Sequence, residues 1–303
     1  RSPDPTTHPL KGAIVHGGTI APLRCAATIP APMVVTASEH VELAAAAAEA
    51  VVEVHRRLVG HLRAGQTLAE IDDFVARTLA DLGASSAFLG YRARGHPAYP
   101  SHSCLSLNDC VVHGTHDMSS KPLQPGDVLS VDIGVRKEGW IGDAAWTYAI
   151  AEATDEALAL MRCGRRSLEE GVAMLRPGRP LIDWAKAVQD VVERQHRFCL
   201  VRGLGGHGYG RELHGAPFVS NVVPSYPGEW PDAWTRLRPG TLLAVEPMVA
   251  LSSTEVRTEG RKWPIYTADG SLSVHYEADV LVTEHGPRNL TAGLLDLPEI
   301  VGR

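Results

Sequence analysis

The sequence predicts an α+β protein of two similar halves, each running two helices and then antiparallel β-structure. Three observations carry the prediction. Helix-start signals open apolar runs at Thr36 and Thr67, and a second pair of helices begins at about Thr154. Strand and turn signals follow each pair of helices. Two Pro-Gly turns, Pro125-Gly126 and Pro239-Gly240, each lead into an apolar strand that carries an acid, Asp132 in one half and Glu246 in the other. No residue-level repeat accompanies this order, so the duplication is one of architecture.

Residues 1–36 hold Pro22, Pro30 and Pro32 without helical or alternating period, and are expected to form an extended proline-rich arm. Residues 37–303 are expected to form a single domain. Its first helix is expected from Thr36, where Thr36 and Glu39 make a capping-box pattern, through an Ala-rich run to about Leu58. A second box, Thr67 with Glu70, opens a helix ending near Gly83, and the two form an αα-hairpin. From Tyr99 the period becomes that of strands, with loop signals at Asn108-Asp109 and His113-Gly114. A β-ribbon follows, Val128 to Val135 and Trp140 to Ile150, reversed near Lys137-Glu138-Gly139. The third helix runs from about Thr154 to Leu175, and the fourth follows Pro180, with Leu181, Trp184, Val188 and Val191 at helical spacing. Strands return at Arg197 to Val201, Leu242 to Leu251 and Ser273 to Thr283.

With 303 residues, 44% of them hydrophobic, the chain can bury a substantial core. A net charge of −6 and a pI near 6.2 supply no global basic field, which argues against DNA as a partner. The five cysteines are scattered, odd in number and lack any C-x-x-C, so neither a disulfide framework nor a zinc finger is indicated, and a cytoplasmic location is expected. No stretch has the length and apolarity of a membrane span.

The chemistry centres on GGHGYGRELHG, Gly205 to Gly215, which sets His207 and His214 seven residues apart among glycines, as suits backbone passing close to something bound. Either histidine alone reads as a hydrogen-bonded structural residue. Their company changes that reading: Glu246 in LLAVEPMV, Glu277 in SVHYEADVLV, and Asp132 and Asp143 on the two strands of the ribbon are acids inside apolar runs. A buried carboxylate is costly unless paired, neutralised or bound to metal. Pairing with arginines is the competing reading. Two divalent cations would balance four carboxylates, and one histidine in an oxygen-rich shell suits Mn²⁺, Fe²⁺, Co²⁺ or Zn²⁺.

YPSHSCLSLNDCVVHG, LSVDIGV, GWIGDAAW, GGHGYGRELHGAP, LLAVEPMV and SVHYEADVLVT, in this order and spacing, resemble the type I methionine aminopeptidases, members of the pita-bread metallopeptidases. The resemblance spans about Thr36 to Thr283, and the proline-rich arm looks like the N-terminal extension of actinobacterial-type members. It implies a pita-bread fold around a dinuclear site with Asp132, Asp143, His207, Glu246 and Glu277 as metal ligands, Asp143 and Glu277 bridging. It also implies metal-assisted hydrolysis that removes the N-terminal residue, methionine, from peptides or nascent proteins. Glu246 would move a proton, His214 would donate to the developing oxyanion, and His113 would serve the amide-nitrogen side. Phe88, Tyr91, Tyr99, Cys104, Leu213 and Trp263 would wall the pocket for the first side chain. A monomer is expected, with the arm a candidate ribosome-facing segment.

Three departures from the family pattern stand out. Gly134, Ala144 and Ala145 replace hydroxyl residues expected to support the metal ligands, a type of loss that weakens metal affinity or activity ~10–100-fold. Phe88 stands where a Cys is usual and Leu213 where a Phe is usual. The Tyr91 to Cys104 loop is roughly five residues longer than expected. These departures leave two alternatives: a catalytically impaired pita-bread protein that binds a peptide or partner, or a metalloaminopeptidase of changed specificity. Gly203, Gly205 and Gly208 formally satisfy G-x-G-x-x-G, but Tyr209 to Pro217 offers no helix to complete a dinucleotide site. Creatinase, prolidase and aminopeptidase P share the metal pattern but carry a separate N-terminal domain, for which the ~95 residues before the Tyr99 segment leave too little room.

Overall fold

The computed structural model of the chain describes residues 34–303, so the expected arm lies outside the described residues except for its end. That end is docked: Val35 is buried and its N–H donates to the Gly240 carbonyl at 2.8 Å, while Val34 bridges to Thr241.

Helix α1 (Ser38–Val59) starts later than the capping-box reading expects. Ala37 is its N-cap and makes no side-chain cap bond. The contacts of Val34 and Val35 with the Gly240 turn hold the chain extended, which leaves Thr36 one residue short of the cap. Helix α2 (Leu68–Asp81) opens with the expected box, Thr67 and Glu70 each accepting from the other's backbone. The Ala-rich run of α1 serves close packing. Ala44, Ala47 and Ala48 are fully buried, and a β-carbon at Gly142 would fall 2.5 Å from the Ala47 backbone.

Strand β1 (Cys104–Leu107) pairs with β2 (Val128–Lys137), which forms the expected ribbon with β3 (Trp140–Ile150). All of β3 is buried, since α1 covers one face and strands of the second half cover the other. Helices α3 (Asp155–Val172, capped by the Thr154 side chain) and α4 (Ile182–Gln189) then open the second half. Its main sheet contains β4 (Gly205–Gly208), β5 (Gly215–Ser220), β6 (Leu242–Val245) and β9 (Ala278–Thr283), in the order β9-β6-β4-β5. A smaller sheet pairs β7 (Met248–Ala250) with β8 (Ser273–His275). The two Pro-Gly turns match, with Gly126 and Gly240 both at φ 89°. Two helices and then strands, twice over, is the α+β arrangement the sequence predicts.

Two expected strands are interrupted. Leu242 to Leu251 breaks at Glu246-Pro247, where proline has no N–H for the ladder, and Ser273 to Thr283 breaks at Tyr276-Glu277. Both breaks fall on candidate ligands.

Candidate metal centre

In the ribbon Gly134 is opposite Asp143 and Asp132 is opposite Ala145. Asp132 and Asp143 are therefore diagonal neighbours on one face. Ala144 points the other way, into the core beside Ile133, so its lost hydroxyl never faced the acids; of the three substituted positions, Gly134 and Ala145 share their face. Opposite the ribbon, His207 on β4 lies in register with Ala244, and Ala244 with Asp279 on β9. Gly206 and Gly208 flank His207 because a β-carbon there would fall 2.2 Å from the Ala244 carbonyl oxygen and 2.0 Å from that of Ala216. The glycine-rich stretch thus admits neighbouring strands, not a ligand as its composition first suggests.

The two halves are stitched together through the acids themselves. The Asp143 N–H donates to Asp279 Oδ2 at 2.8 Å, and the Glu277 N–H donates to the Ala145 carbonyl at 2.9 Å. Oxygens of Asp143 and Glu277 and a ring nitrogen of His207 lie within 4.8 Å of one another. His207 Nε2 is 3.7 Å from Asp143 Oδ2 and 3.7 Å from Glu246 Oε1. Glu246 reaches the group from the β6–β7 break, and Asp132 joins it beside Asp143. Burial pushes Asp132 up to about 7, and burial with the neighbouring acids raises Asp143 and Glu277 well above the carboxylate range. Burial lowers His207 to about 4. No arginine enters the cluster among the described ion pairs, which argues against the competing reading of paired acids.

Two residues of this cluster were not anticipated. His275 has Nε2 3.4 Å from Glu246 Oε2, and Asp279 is fully buried against Asp143. Their positions, two before and two after Glu277, share its parity along a strand, and that period-2 spacing is the signal that could have found them. Donor atoms left without hydrogen bonds concentrate here: Asp132 Oδ1, Asp143 Oδ1, Asp279 Oδ1 and His275 Nε2. Orphaned oxygens and a nitrogen on neighbouring buried residues, beside the Asp143, His207 and Glu277 donors that lie within 4.8 Å of one another, fit a divalent cation.

The remaining candidates surround this cluster. His214 lies edge-on to His207, ring centroids 4.4 Å apart, and the Tyr91 hydroxyl is 2.8 Å from its Nδ1. His113 sits at φ 59°, its ring perpendicular to Trp263. Phe88, Tyr99, Cys104, Leu213 and Trp263 are buried in one apolar cluster, and Tyr91 packs against it. The long loop after Tyr91 is tied across this wall: Trp263 Nε1 donates to the Pro97 carbonyl at 3.0 Å, and Arg261 Nε to that of Gly95 at 2.6 Å.

The sequence profile of metallopeptidase family M24 matches residues 42–284. Methionine aminopeptidase 1 of Mycobacterium tuberculosis (strain CDC 1551 / Oshkosh) is 38% identical over 256 residues, covering 82% of this chain and 92% of that protein. The crystal structure of methionine aminopeptidase from Thermotoga maritima superposes with a TM-score of 0.77 at 34% identity, covering 86% of this chain and 99% of that one. The methionine aminopeptidase structure from Rickettsia prowazekii gives a TM-score of 0.79 at 26% identity, over 86% and 100% of the two chains. Matched by the profile across both halves and through every acid of the cluster, the chain belongs to metallopeptidase family M24 and has its pita-bread fold.

Proposed function

We propose that the chain removes N-terminal methionine from peptides or nascent proteins, using two divalent cations held by Asp132, Asp143, His207, Glu246 and Glu277. The family and its aligned relatives make it a metalloaminopeptidase, and the observation that carries the reading is the convergence of Asp143, His207 and Glu277 donors within 4.8 Å. Divalent cations bound there supply Lewis acidity toward the scissile carbonyl, acidify a nucleophilic water and anchor the free α-amine.

The chain's own groups do the rest. Glu246, reaching in from a strand break, takes the proton of the attacking water. The Tyr91 hydroxyl lies 2.8 Å from His214 Nδ1, and with that hydroxyl as the donor the ring proton sits on Nε2, ready for the oxyanion. His113 faces the leaving amide nitrogen. Phe88, Tyr91, Tyr99, Cys104, Leu213 and Trp263 wrap the methionine side chain in apolar surface and exclude water. Residues 37–303 act as a single catalytic domain and the protein works as a cytoplasmic monomer, with the ribosome a candidate contact of the N-terminal arm. Among the described residues no helix is long and apolar enough to cross a membrane.

The test pairs elemental analysis with turnover of short peptides differing in their first residue. Two equivalents of metal and preferential release of methionine are expected. Two equivalents of metal without cleavage of any peptide would instead identify a binding module.

A further inference from the structure

We propose that His275 is a second nitrogen donor to the metal centre, so that each of the two ions receives one imidazole. The inference rests on reading the acid cluster as a metal site. His275 is 2% exposed, and its Nε2 has no hydrogen-bond partner. That atom faces two candidate ligands, 3.4 Å from Glu246 Oε2 and 3.9 Å from Glu277 Oε2. These separations are too long for good hydrogen bonds. The 3.4 Å separation from Glu246 Oε2 suits two donors on one cation, since atoms about 2.0–2.2 Å from a shared ion stand roughly 3–3.5 Å from each other.

The arrangement mirrors that of His207. Glu246 lies between the two imidazoles, with Oε1 facing His207 Nε2 and Oε2 facing His275 Nε2. His207 pairs this with Asp143, and His275 pairs it with Glu277. The backbone that carries His275 is held in place. Its N–H lies 3.1 Å from Ser130 Oγ and 3.2 Å from Thr147 Oγ1, and its carbonyl accepts from Thr147 Oγ1 at 2.8 Å. Ser130 and Thr147 are themselves hydrogen-bonded across the ribbon at 2.8 Å. A buried imidazole on a backbone held in this way, its Nε2 aimed at two acids, is placed for coordination. A nitrogen donor at the second ion shifts preference toward Fe²⁺, Co²⁺ or Zn²⁺ and away from Mg²⁺ or Mn²⁺.

Co²⁺ titration by calorimetry, with X-ray absorption of the Co²⁺-loaded protein, tests this without recourse to activity. The unmodified protein should show two imidazoles per two cobalt ions. H275Q should lose half of that imidazole scattering and weaken one of the two binding steps by about tenfold or more, leaving the other unchanged. Two bound ions with a single imidazole, or superimposable titrations for H275Q and its parent, would overturn the role of His275 while leaving the metal site standing. A protein that takes up no Co²⁺ overturns both. Should H275Q fail to fold, the imidazole count of the unmodified protein decides alone.

Discussion

The Phe88 ring fills the space that a side chain at position 134 would need: a β-carbon on Gly134 would fall 2.3 Å from Cε1 of that ring. Two departures seen separately in the sequence, a large residue at 88 and a glycine at 134, are therefore one exchange. The ring also stands edge-on to Tyr99, another residue of the proposed pocket wall. This corrects the simple idea that a hydroxyl is merely missing, because restoring threonine at 134 alone would collide with Phe88. G134T should destabilise by about 1–3 kcal/mol through overpacking. F88C should also destabilise, by leaving a cavity. The double variant F88C/G134T should lose about 1–3 kcal/mol less than the sum, as coupled neighbours do. Strictly additive unfolding free energies would show that the two positions do not share this space.

His214 offers a test of the division between metal binding and catalysis. Because Tyr91 engages its Nδ1 and it stands outside the acid cluster, H214A should leave metal content intact and lower kcat by about 10²–10³, the scale for one lost oxyanion donor. Y91F should cost about tenfold or less, since a single neutral hydrogen bond that orients the ring is lost. Metal loss in H214A would assign the histidine to the wrong role.

The positions proposed to bridge the two ions should behave in the opposite way. Asp143 and Glu277 belong to the tight group with His207, and each is tied by its backbone N–H to the other half of the molecule. D143N or E277Q keeps the shape but removes the negative charge and replaces one carboxylate oxygen with an amide nitrogen, so metal and activity should disappear together. Full turnover by either variant would remove the two-ion reading.

Much of this was legible from the sequence, for physical reasons. Acids inside apolar runs announce themselves because burial without compensation is so costly, and Asp132, Asp143, Glu246 and Glu277 are brought together with His207. The capping box at Thr67 was legible because it is local; that at Thr36 was not, because the docking of Val34 and Val35 on a distant turn decides where α1 begins. The direction of Ala144 could have been read from strand alternation, whereas the Phe88–Gly134 contact could not, since it joins segments that only tertiary packing brings together. His275 and Asp279 were less legible because a histidine or an acid next to a strand end is ordinarily a solvated or hydrogen-bonded residue, and only packing of the two halves buries them beside Asp143 and Glu246.

The charge state of the cluster gives a prediction about stability. Burial raises Asp132 to about 7 and lifts Asp143, Glu246, Glu277 and Asp279 well above the carboxylate range. Each raised acid contributes stability that is fully present below its unfolded value, about 4, and is lost as pH rises through its folded value. Burial lowers His207 and His275 to about 4, from an ordinary value near 6.5. Those histidines act in the opposite sense, adding stability as pH rises from about 4 to 6.5, so the two groups oppose one another in that window. Above about pH 6.5 the histidines are neutral in both states and only the acids remain to act. The metal-free protein should therefore lose stability steadily from about pH 6.5 to 8.5. Metal binding requires the carboxylates ionised, so the loaded protein should show no such loss and should release protons as it takes up metal. Denaturant unfolding of chelator-treated and Co²⁺-loaded protein at three pH values in this range measures the first effect. Calorimetry in buffers of different ionisation enthalpy measures the second. A metal-free protein whose stability stays level or rises above pH 6.5, with no proton release on loading, would show that the five acids are not held protonated by one another and by burial.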